Sequence, residues 1–164
     1  MKNLLLIRHA QAEKFSETNK DIDRKLTSEG MKIASLLGKY LKDEGINPDM
    51  IISSMAQRSQ LTAELVASQL EYELGDIQCV EGLYEASVRG FVNLLSQLDN
   101  GNSVVLIIGH NPAVTYAADY LCDAEVNGMS PGAVVQINFA IESWADLSKG
   151  LGEFINYYDL PGGG

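Results

Sequence analysis

Two short runs of the chain are wholly apolar and lack the alternation typical of a strand with one face in water. Leu4–Ile7 and Val104–Ile108 contain only Leu, Ile and Val, a pattern that indicates strands buried on both faces of a sheet. Met50–Ile52 predicts a third short strand and Ile77–Val80 a weaker fourth. Between these runs apolar residues recur at helical spacing, so strands alternate with helices along the chain.

The predicted helices have recognisable starts and stops. They run from Thr27 or Ser28 to about Leu41, from Gln57 to Leu70, from Val88 to Leu98 and from about Ala113 to Leu121. The hydroxyl side chains of Thr27, Ser28 and Ser87 are typical N-caps, and Gly45 is a typical stop for the first helix. The polar segment 11–25 predicts a long loop between the first strand and this helix, and long ordered loops in small domains are often functional.

Near the carboxyl end the pattern changes to alternation. Ala133–Phe139 and Phe154–Tyr158 alternate apolar and polar residues, which indicates an antiparallel hairpin. The whole pattern predicts an α/β fold: a three-layer sandwich with a mixed, mainly parallel central sheet, helices on both faces and an antiparallel edge hairpin. We expect a single domain over residues 1–160, and a disordered tail at 161–164, Pro-Gly-Gly-Gly.

Composition narrows the possible functions. The 164-residue chain has a net charge of -10, which argues against a nucleic-acid or anionic-membrane surface, so any phosphate site must be a local basic pocket. Cys79 and Cys122 are the only cysteines, too few for a disulfide framework or a Cys-rich metal site. The apolar start at Leu4 is too short for a signal peptide and no run has membrane-spanning length. We therefore expect a reduced, cytoplasmic setting.

The scarce cationic and imidazole side chains follow the predicted strands. The chain has only two histidines, His9 and His110, and each follows one of the two most apolar strands. If those strands are neighbours, both rings face one crevice at the carboxyl edge of the sheet. Three of the four arginines, Arg8, Arg24 and Arg58, also lie at strand–helix junctions or in the loop. Singly each is equally typical of a solvated side chain, but together they favour a site for a dianionic phosphate.

At the level of motifs the chain resembles the histidine phosphatase superfamily, the phosphoglycerate-mutase-like group, and within it the short SixA-type branch of phosphohistidine phosphatases. Five blocks in family order carry the resemblance: Leu4-Leu-Leu-Ile-Arg-His-Ala10, Arg24-Lys-Leu-Thr-Ser-Glu-Gly30, Ser53-Ser-Met-Ala-Gln-Arg-Ser-Gln-Leu-Thr62, Leu83-Tyr-Glu-Ala-Ser87 and Val104-Val-Leu-Ile-Ile-Gly-His-Asn-Pro112. Ala10 stands where the larger family usually has Gly, a mild departure because it adds only a methyl group.

The resemblance implies a role for each of these residues. His9 would be the nucleophile and become transiently phosphorylated, while Arg8, Arg58 and His110 would bind the phosphoryl oxygens. Arg24 would lie at the entrance, although a plain solvent-facing arginine is equally expected. No cofactor and no metal are implied. The expected substrate is a phosphohistidine-bearing protein, with a small phosphomonoester such as a sugar phosphate as the alternative, and a non-catalytic phosphate-binding module as a less favoured one.

Other carboxylates and motifs leave alternatives open. Glu81 and Glu85 lie where the larger family carries its proton donor, but the local pattern identifies neither, and each is more typical of a surface glutamate. Asp21-Ile22-Asp23 resembles the Asp-x-Asp of metal-dependent phosphatases, but a polar loop precedes it rather than a buried strand. We therefore interpret these aspartates as solvated loop carboxylates. The chain has no Gly-rich phosphate loop and no Gly-x-Ser-x-Gly motif.

Overall fold

Six strands and four helices follow one another along residues 1–160, the part of the chain that this computed structural model describes. The strands are β1 (Lys2–Arg8), β2 (Met50–Ser54), β3 (Gln78–Val80), β4 (Val104–Gly109), β5 (Val134–Phe139) and β6 (Glu153–Tyr158). The helices are α1 (Ser28–Asp43), α2 (Gln57–Gln69), α3 (Val88–Ser96) and α4 (Ala113–Leu121). Their bounds differ from the predicted ones by two residues at most. The predicted disordered tail, 161–164, lies outside the described residues.

The strands form one mixed sheet in the order β3-β2-β4-β1-β5-β6. Strands β3, β2, β4 and β1 pair in parallel, whereas β5 is antiparallel to both β1 and β6. The two most apolar strands, β1 and β4, are neighbours in the middle of the sheet, with Arg8 opposite Gly109 at their carboxyl ends. The mixed, mainly parallel sheet is confirmed.

Helices cover both faces of the sheet, which explains why the central strands are apolar at every position. In β1, Leu5 and Ile7 pack with residues of α1 and α2, and Leu4 and Leu6 pack with residues of α3 and α4. All four side chains are at most 1% exposed. Burial on both faces removes the polar alternation that a half-exposed strand would have, and the three-layer sandwich is confirmed.

The helix termini use the predicted caps. The Thr27 hydroxyl accepts a hydrogen bond from the backbone N–H of Gly30 at 2.9 Å, and Ser87 accepts one from Gly90 at 3.1 Å. Gly45 follows α1 with a φ of 77°, a left-handed conformation that glycine adopts without a steric penalty. None of the helices within residues 1–160 is long and apolar enough to cross a membrane.

β5 and β6 form the antiparallel edge pair that the alternation predicts, and the long segment between them is itself structured. A 3-10 turn at Trp144–Asp146 lies within this segment. Trp144 is fully buried, and its indole N–H donates to the backbone carbonyl of Asn102 at 2.8 Å. The segment between β5 and β6 therefore contributes Trp144 to the core on the face of the sheet that α3 and α4 cover.

Candidate active site

The two histidines lie side by side at the carboxyl edge of the sheet. His9 follows β1 and His110 follows β4, and the backbone N–H of His9 donates to the Gly109 carbonyl at 3.0 Å, continuing the pairing of the two strands. Their ring centroids are 5.1 Å apart, with an interplanar angle of 60°. The parallel register therefore delivers both imidazoles to one crevice, as the sequence predicts.

A hydrogen bond to the backbone of the next residue decides which ring nitrogen of His9 carries the hydrogen. Nδ1 lies 2.8 Å from the carbonyl oxygen of Ala10, and because a carbonyl only accepts hydrogen bonds, Nδ1 carries the hydrogen. Burial, with a smaller contribution from nearby cationic groups, lowers the pKa of His9 to about 3. The ring is therefore neutral at pH 7, and its Nε2 atom has a free lone pair.

His110 is more deeply buried and is held by serines. Its side chain is 8% exposed, and Nε2 lies 2.7 Å from the hydroxyl oxygen of Ser54 and 3.5 Å from that of Ser59. Burial and, next, the charge of Arg58 lower the pKa of His110 to about 4. His110 is therefore neutral in the unliganded pocket, and any hydrogen bond that it gives to an anion comes from a neutral ring.

The two arginines enter the crevice from different elements. Arg58 lies in the first turn of α2 and is 5% exposed; its Nη1 and Nη2 donate to the carbonyl and carboxylate oxygens of Asp21 at 2.8 and 3.0 Å. Arg8 ends β1, and its Nη1 donates to the Met129 carbonyl at 2.8 Å. The backbone N–H of Gly132 contacts the carbonyl oxygens of Arg8 and His9 at 3.0 and 3.1 Å, so the segment before β5 closes over the end of β1.

Several buried nitrogens in this crevice are unsatisfied. Within residues 1–160, four buried side-chain atoms have no hydrogen-bond partner, and three of them belong to predicted site residues: Arg8 Nε, Arg58 Nε and His110 Nδ1. An unsatisfied buried polar group costs about 1–3 kcal/mol, and more when it is charged. Such groups are rare in folded proteins. Their concentration here fits a pocket whose donors are completed by an oxyanion.

Asp21 connects the loop to this pocket: its side chain is 53% exposed, as expected of a solvated loop carboxylate, but it also binds residues of the pocket. Beyond its two bonds from Arg58, its carboxylate accepts hydrogen bonds from the Tyr84 hydroxyl and from Arg24 Nε, the latter at 2.9 Å. The hydrogen bond from Tyr84, followed by those from Arg58, lowers the pKa of Asp21 to about 2. Asp23 is different, since it accepts a hydrogen bond only from Thr18 within the loop.

Arg24 lies on the outer side of Asp21 rather than against the histidines. Besides Asp21, it donates from Nη1 to the Glu13 carbonyl at 2.9 Å, and its side chain is 26% exposed. The structure thus places Arg24 at the edge of the pocket, in contact with it through Asp21. This position is compatible with the predicted entrance role, which stays a prediction.

The two candidate proton donors are exposed and are not hydrogen-bonded to the pocket residues. Glu81 and Glu85 are both exposed and form no side-chain hydrogen bond or salt bridge within residues 1–160. Between them Tyr84 turns the other way: its ring lies 5.6 Å from that of His110, and its hydroxyl donates to Asp21. A catalytic role for either glutamate stays a prediction.

Sequence reasoning missed four residues of this site. Besides Asp21 and Tyr84, they are Ser54, which contacts His110, and Thr62, whose hydroxyl accepts the backbone N–H of Ala10 at 3.1 Å and donates to the Arg58 carbonyl at 2.8 Å. All but Asp21 lie inside the blocks that carry the family resemblance. Their place in those blocks is the signal that could have identified them.

The part of the chain that the structure describes contains no group of three or more His, Cys, Asp and Glu side chains arranged to hold a metal ion. The Asp21 carboxylate accepts hydrogen bonds from two guanidinium groups and from the Tyr84 phenol.

Comparison with known proteins identifies the class. Residues 4–97, more than half of the chain, match the model of the histidine phosphatase superfamily (branch 1), and the chain belongs to this family. It is also 24% identical over 184 residues to the mitochondrial serine/threonine-protein phosphatase Pgam5 of Drosophila ananassae. That match covers 95% of this chain but only 62% of the relative, so the chain spans less than two thirds of the curated proteins that it matches.

Solved structures share the whole fold. The protein histidine phosphatase SixA complexed with tungstate superposes with a TM-score of 0.82 at 24% identity, covering 96% of each chain. A protein assigned as the phosphohistidine phosphatase SixA of Nakamurella multipartitia superposes with a TM-score of 0.83 at 22% identity, covering 98% of this chain and 96% of that one. A phosphoserine phosphatase of Entamoeba histolytica, in complex with 3-phosphoglyceric acid, gives 0.69 at 16%, covering 98% of both. The fold is that of SixA-type proteins.

Proposed function

We propose that this protein is a phosphatase that transfers a phosphoryl group to His9 and then to water, and that its substrate is a phosphohistidine-bearing protein. The observation that carries the proposal is the set of unsatisfied buried nitrogens on Arg8, Arg58 and His110, beside a neutral His9 with a free Nε2 lone pair. Forked guanidinium donors suit the equatorial oxygens of a transferring phosphoryl group. Membership of the histidine phosphatase superfamily supports the reaction class.

In the first step, the Nε2 lone pair of His9 forms a bond to phosphorus while the bond from phosphorus to the substrate imidazole nitrogen breaks. The bonding electrons leave with that imidazole, which departs as a neutral molecule when its distal nitrogen carries a proton. Arg8, Arg58 and His110 would donate to the phosphoryl oxygens, where fixed donors stabilise developing charge. Splitting the reaction through a covalent intermediate replaces one difficult step with two easier ones.

In the second step, a water oxygen attacks phosphorus and the bond to His9 Nε2 breaks, releasing inorganic phosphate with the protons of the water. The Ala10 carbonyl, which holds the hydrogen on Nδ1, assists here as well. Because phospho-His9 keeps that hydrogen, the ring leaves as a neutral imidazole rather than as an anion. The same hydrogen bond therefore favours His9 both as nucleophile and as leaving group.

The choice of phosphohistidine over a phosphate ester rests on the leaving group. An ester expels a strongly basic alkoxide, which needs a well-placed acid, whereas the conjugate acid of imidazole has a pKa of about 6.5. Glu81 and Glu85 are exposed, and within residues 1–160 their side chains form no hydrogen bond or salt bridge. The site has two arginines and two histidines but no carboxylic acid placed to protonate a leaving group. It therefore suits the phosphorus–nitrogen bond of phosphohistidine, whose cleavage does not require such an acid.

A substrate panel with a trapped intermediate tests the proposal. We expect kcat/KM for a phosphohistidine peptide to exceed that for a phosphoserine peptide or a sugar phosphate by at least about tenfold, or ~1.4 kcal/mol in barrier. Reactions quenched with labelled substrate should contain an acid-labile, base-stable phosphoenzyme, and EDTA should leave the rate unchanged. Glu81→Gln and Glu85→Gln should impair ester cleavage more than phosphohistidine cleavage, if they affect either.

The second histidine provides the matched control. His9→Ala should lose both turnover and label while remaining folded, whereas His110→Gln should react slowly but still label on His9. Ester activity equal to the phosphohistidine activity, collapsing in one Gln variant, would identify a phosphomonoesterase instead. Phosphate binding without any turnover would identify a non-catalytic phosphate-binding module.

A further inference from the structure

The loop between β1 and α1 separates its charges between two neighbouring cavities. One cavity, of about 380 Å³, is lined by three cationic side chains, Lys14, Lys20 and Arg24, and by one carboxylate, that of Asp21. The other, of about 510 Å³, is lined by Glu13, Glu17 and Asp23 together with Lys25. Phe15 and Ser16 line both cavities and so separate the basic one from the acidic one.

The basic cavity adjoins the candidate active site. Its carboxylate, Asp21, accepts hydrogen bonds from Arg58 on one side and from Arg24 on the other. Asp21 is thus shared by the phosphoryl pocket and by the cavity, which lies next to the pocket along the path Arg58–Asp21–Arg24. An anion in the cavity and a phosphoryl group at His9 would lie on the two sides of this network.

The cations of the cavity are available to a ligand. Within residues 1–160, neither Lys14 nor Lys20 has a carboxylate oxygen within salt-bridge distance. Arg24 uses Nε for Asp21 and Nη1 for the Glu13 carbonyl, and no residue of that range accepts a hydrogen bond from its Nη2. The single carboxylate in the cavity is bound by Arg24 and Arg58, so three cations line the cavity against one paired carboxylate, although the chain carries -10 overall.

Hydrogen bonds within the loop fix the backbone that carries these cations. The Ser16 hydroxyl donates to the Lys20 carbonyl at 2.7 Å, and Arg24 ties the end of the loop to the carbonyl of Glu13 at 2.9 Å. A backbone that is already ordered loses less conformational entropy on binding.

We propose that this basic cavity binds a second anionic group of the phosphorylated substrate, next to the group that is transferred to His9. This inference rests on the proposed phosphatase function and narrows its substrate. The group is a carboxylate or a phosphate, and for a protein substrate it is an acidic side chain flanking the phosphohistidine. The cavity thereby selects phosphohistidines in an acidic context.

Steady-state kinetics with a pair of phosphohistidine peptides test the inference. The peptides differ only in having Glu or Gln on both sides of the phosphohistidine. For wild type we expect KM to be about fivefold lower for the acidic peptide, as two solvent-exposed ion pairs would give. The difference should vanish at 1 M salt, where the screening length falls to about 3 Å. In the Lys14→Gln/Lys20→Gln variant, KM for the acidic peptide should rise to the value for the neutral one.

Lys25→Gln is the matched control, because Lys25 is in the same loop but lines the acidic cavity. It should keep the preference for the acidic peptide. Equal KM values for the two peptides with wild type, or an equal loss of preference in Lys25→Gln, would overturn the inference. A further pair, a bisphosphorylated and a monophosphorylated sugar, distinguishes a second phosphate from a flanking carboxylate as the source of the anion.

Failure of the phosphatase function can be told apart from failure of this inference. Absence of turnover on both peptides would refute the phosphatase function, while turnover of both without preference would refute only the basic subsite. Binding to His9→Ala, followed by the fluorescence anisotropy of labelled peptides, reports on the cavity without turnover. In this assay we expect the acidic peptide to bind more tightly than the neutral one, and we expect the Lys14→Gln/Lys20→Gln changes to remove that difference. Equal binding of the two peptides to His9→Ala would overturn the inference.

Discussion

A backbone carbonyl decides which nitrogen of His9 carries the proton, and two side-chain contacts orient His110 and Arg58. The Ala10 carbonyl keeps the hydrogen on Nδ1, Ser54 contacts His110, and Asp21 engages the terminal nitrogens of Arg58 while Nε stays unpaired. A guanidinium whose terminal nitrogens are bound elsewhere cannot rotate freely, so its remaining donors have a defined direction. Asp21 is thus a positioning residue for Arg58 in the proposed mechanism.

We expect Asp21→Asn to lower kcat/KM for a phosphohistidine peptide by about tenfold, because it removes a charge-assisted hydrogen bond that partial exposure weakens. Asp23→Asn is the matched control, since Asp23 lies in the same loop but its carboxylate accepts a hydrogen bond from Thr18 rather than from Arg58. Arg58→Ala alone should cost about 2.7–4 kcal/mol of transition-state stabilisation. If Asp21 acts through Arg58, Asp21→Asn should have little further effect in the Arg58→Ala background. Additive losses, or an equal effect of Asp23→Asn, would contradict this role.

At the scale of elements, a single hydroxyl couples the end of β1 to the start of α2. Thr62, one turn after Arg58 in α2, accepts the backbone N–H of Ala10 at 3.1 Å and donates to the carbonyl of Arg58 at 2.8 Å. Thr62 and Ala10 are both fully buried. One side chain therefore fixes the position of Ala10, the residue after His9, relative to Arg58.

Thr62→Val keeps the shape of this side chain but leaves the Ala10 N–H without an acceptor. We expect the free energy of unfolding, measured in urea, to fall by about 1–3 kcal/mol, the cost of an unsatisfied buried donor. Thr62→Ser retains the hydroxyl, so it should restore most of kcat/KM even where its missing methyl costs stability. A Val variant as stable and as active as wild type would show that this contact is dispensable.

How far the sequence predicts these elements depends on the range of the interactions. β1 and β4 were predictable because burial on both faces leaves an uninterrupted apolar run, and their adjacency then places His9 beside His110. Caps such as Thr27 were predictable because the bond reaches only three residues along the chain. The contact of Asp21 with Arg58 joins residues 37 positions apart, and no local pattern encodes which loop carboxylate reaches the helix.

The direction of side chains in short turns could not be predicted from the sequence either. Tyr84 follows the 3-10 turn Glu81–Leu83 and faces the pocket while Glu81 and Glu85 face solvent. A turn this short has no repeating period from which an inward face could be read. The burial of Trp144 between β5 and β6 could not be predicted for a related reason, since alternation in two strands indicates that they pair but not how the connecting segment packs.

At the scale of the whole molecule, an acidic protein maintains a neutral, buried histidine pair in a cationic crevice. Folding removes both imidazoles from water and brings Arg58 close to them, and this environment disfavours the imidazolium forms. The net charge of -10 is spread over the surface, where salt screens it. The crevice therefore has a local electrostatic character opposite to that of the protein as a whole.

This arrangement predicts how stability depends on pH. The pKa values of His9 and His110 are about 3 and about 4 in the folded protein, against about 6.5 for an unfolded chain. Between pH 6.5 and pH 4 the unfolded state therefore binds more protons than the folded state, so stability decreases as pH falls through this window. For each histidine the loss of folding free energy between pH 7.5 and pH 5 is at most about 2 kcal/mol.

Urea unfolding of wild type at the two pH values, compared with a His9→Gln/His110→Gln variant, measures this contribution. We expect the variant to lose markedly less stability than wild type, because Gln does not titrate. The same loss in both proteins would contradict this prediction, because it would mean that the fold does not lower the pKa values of the two histidines.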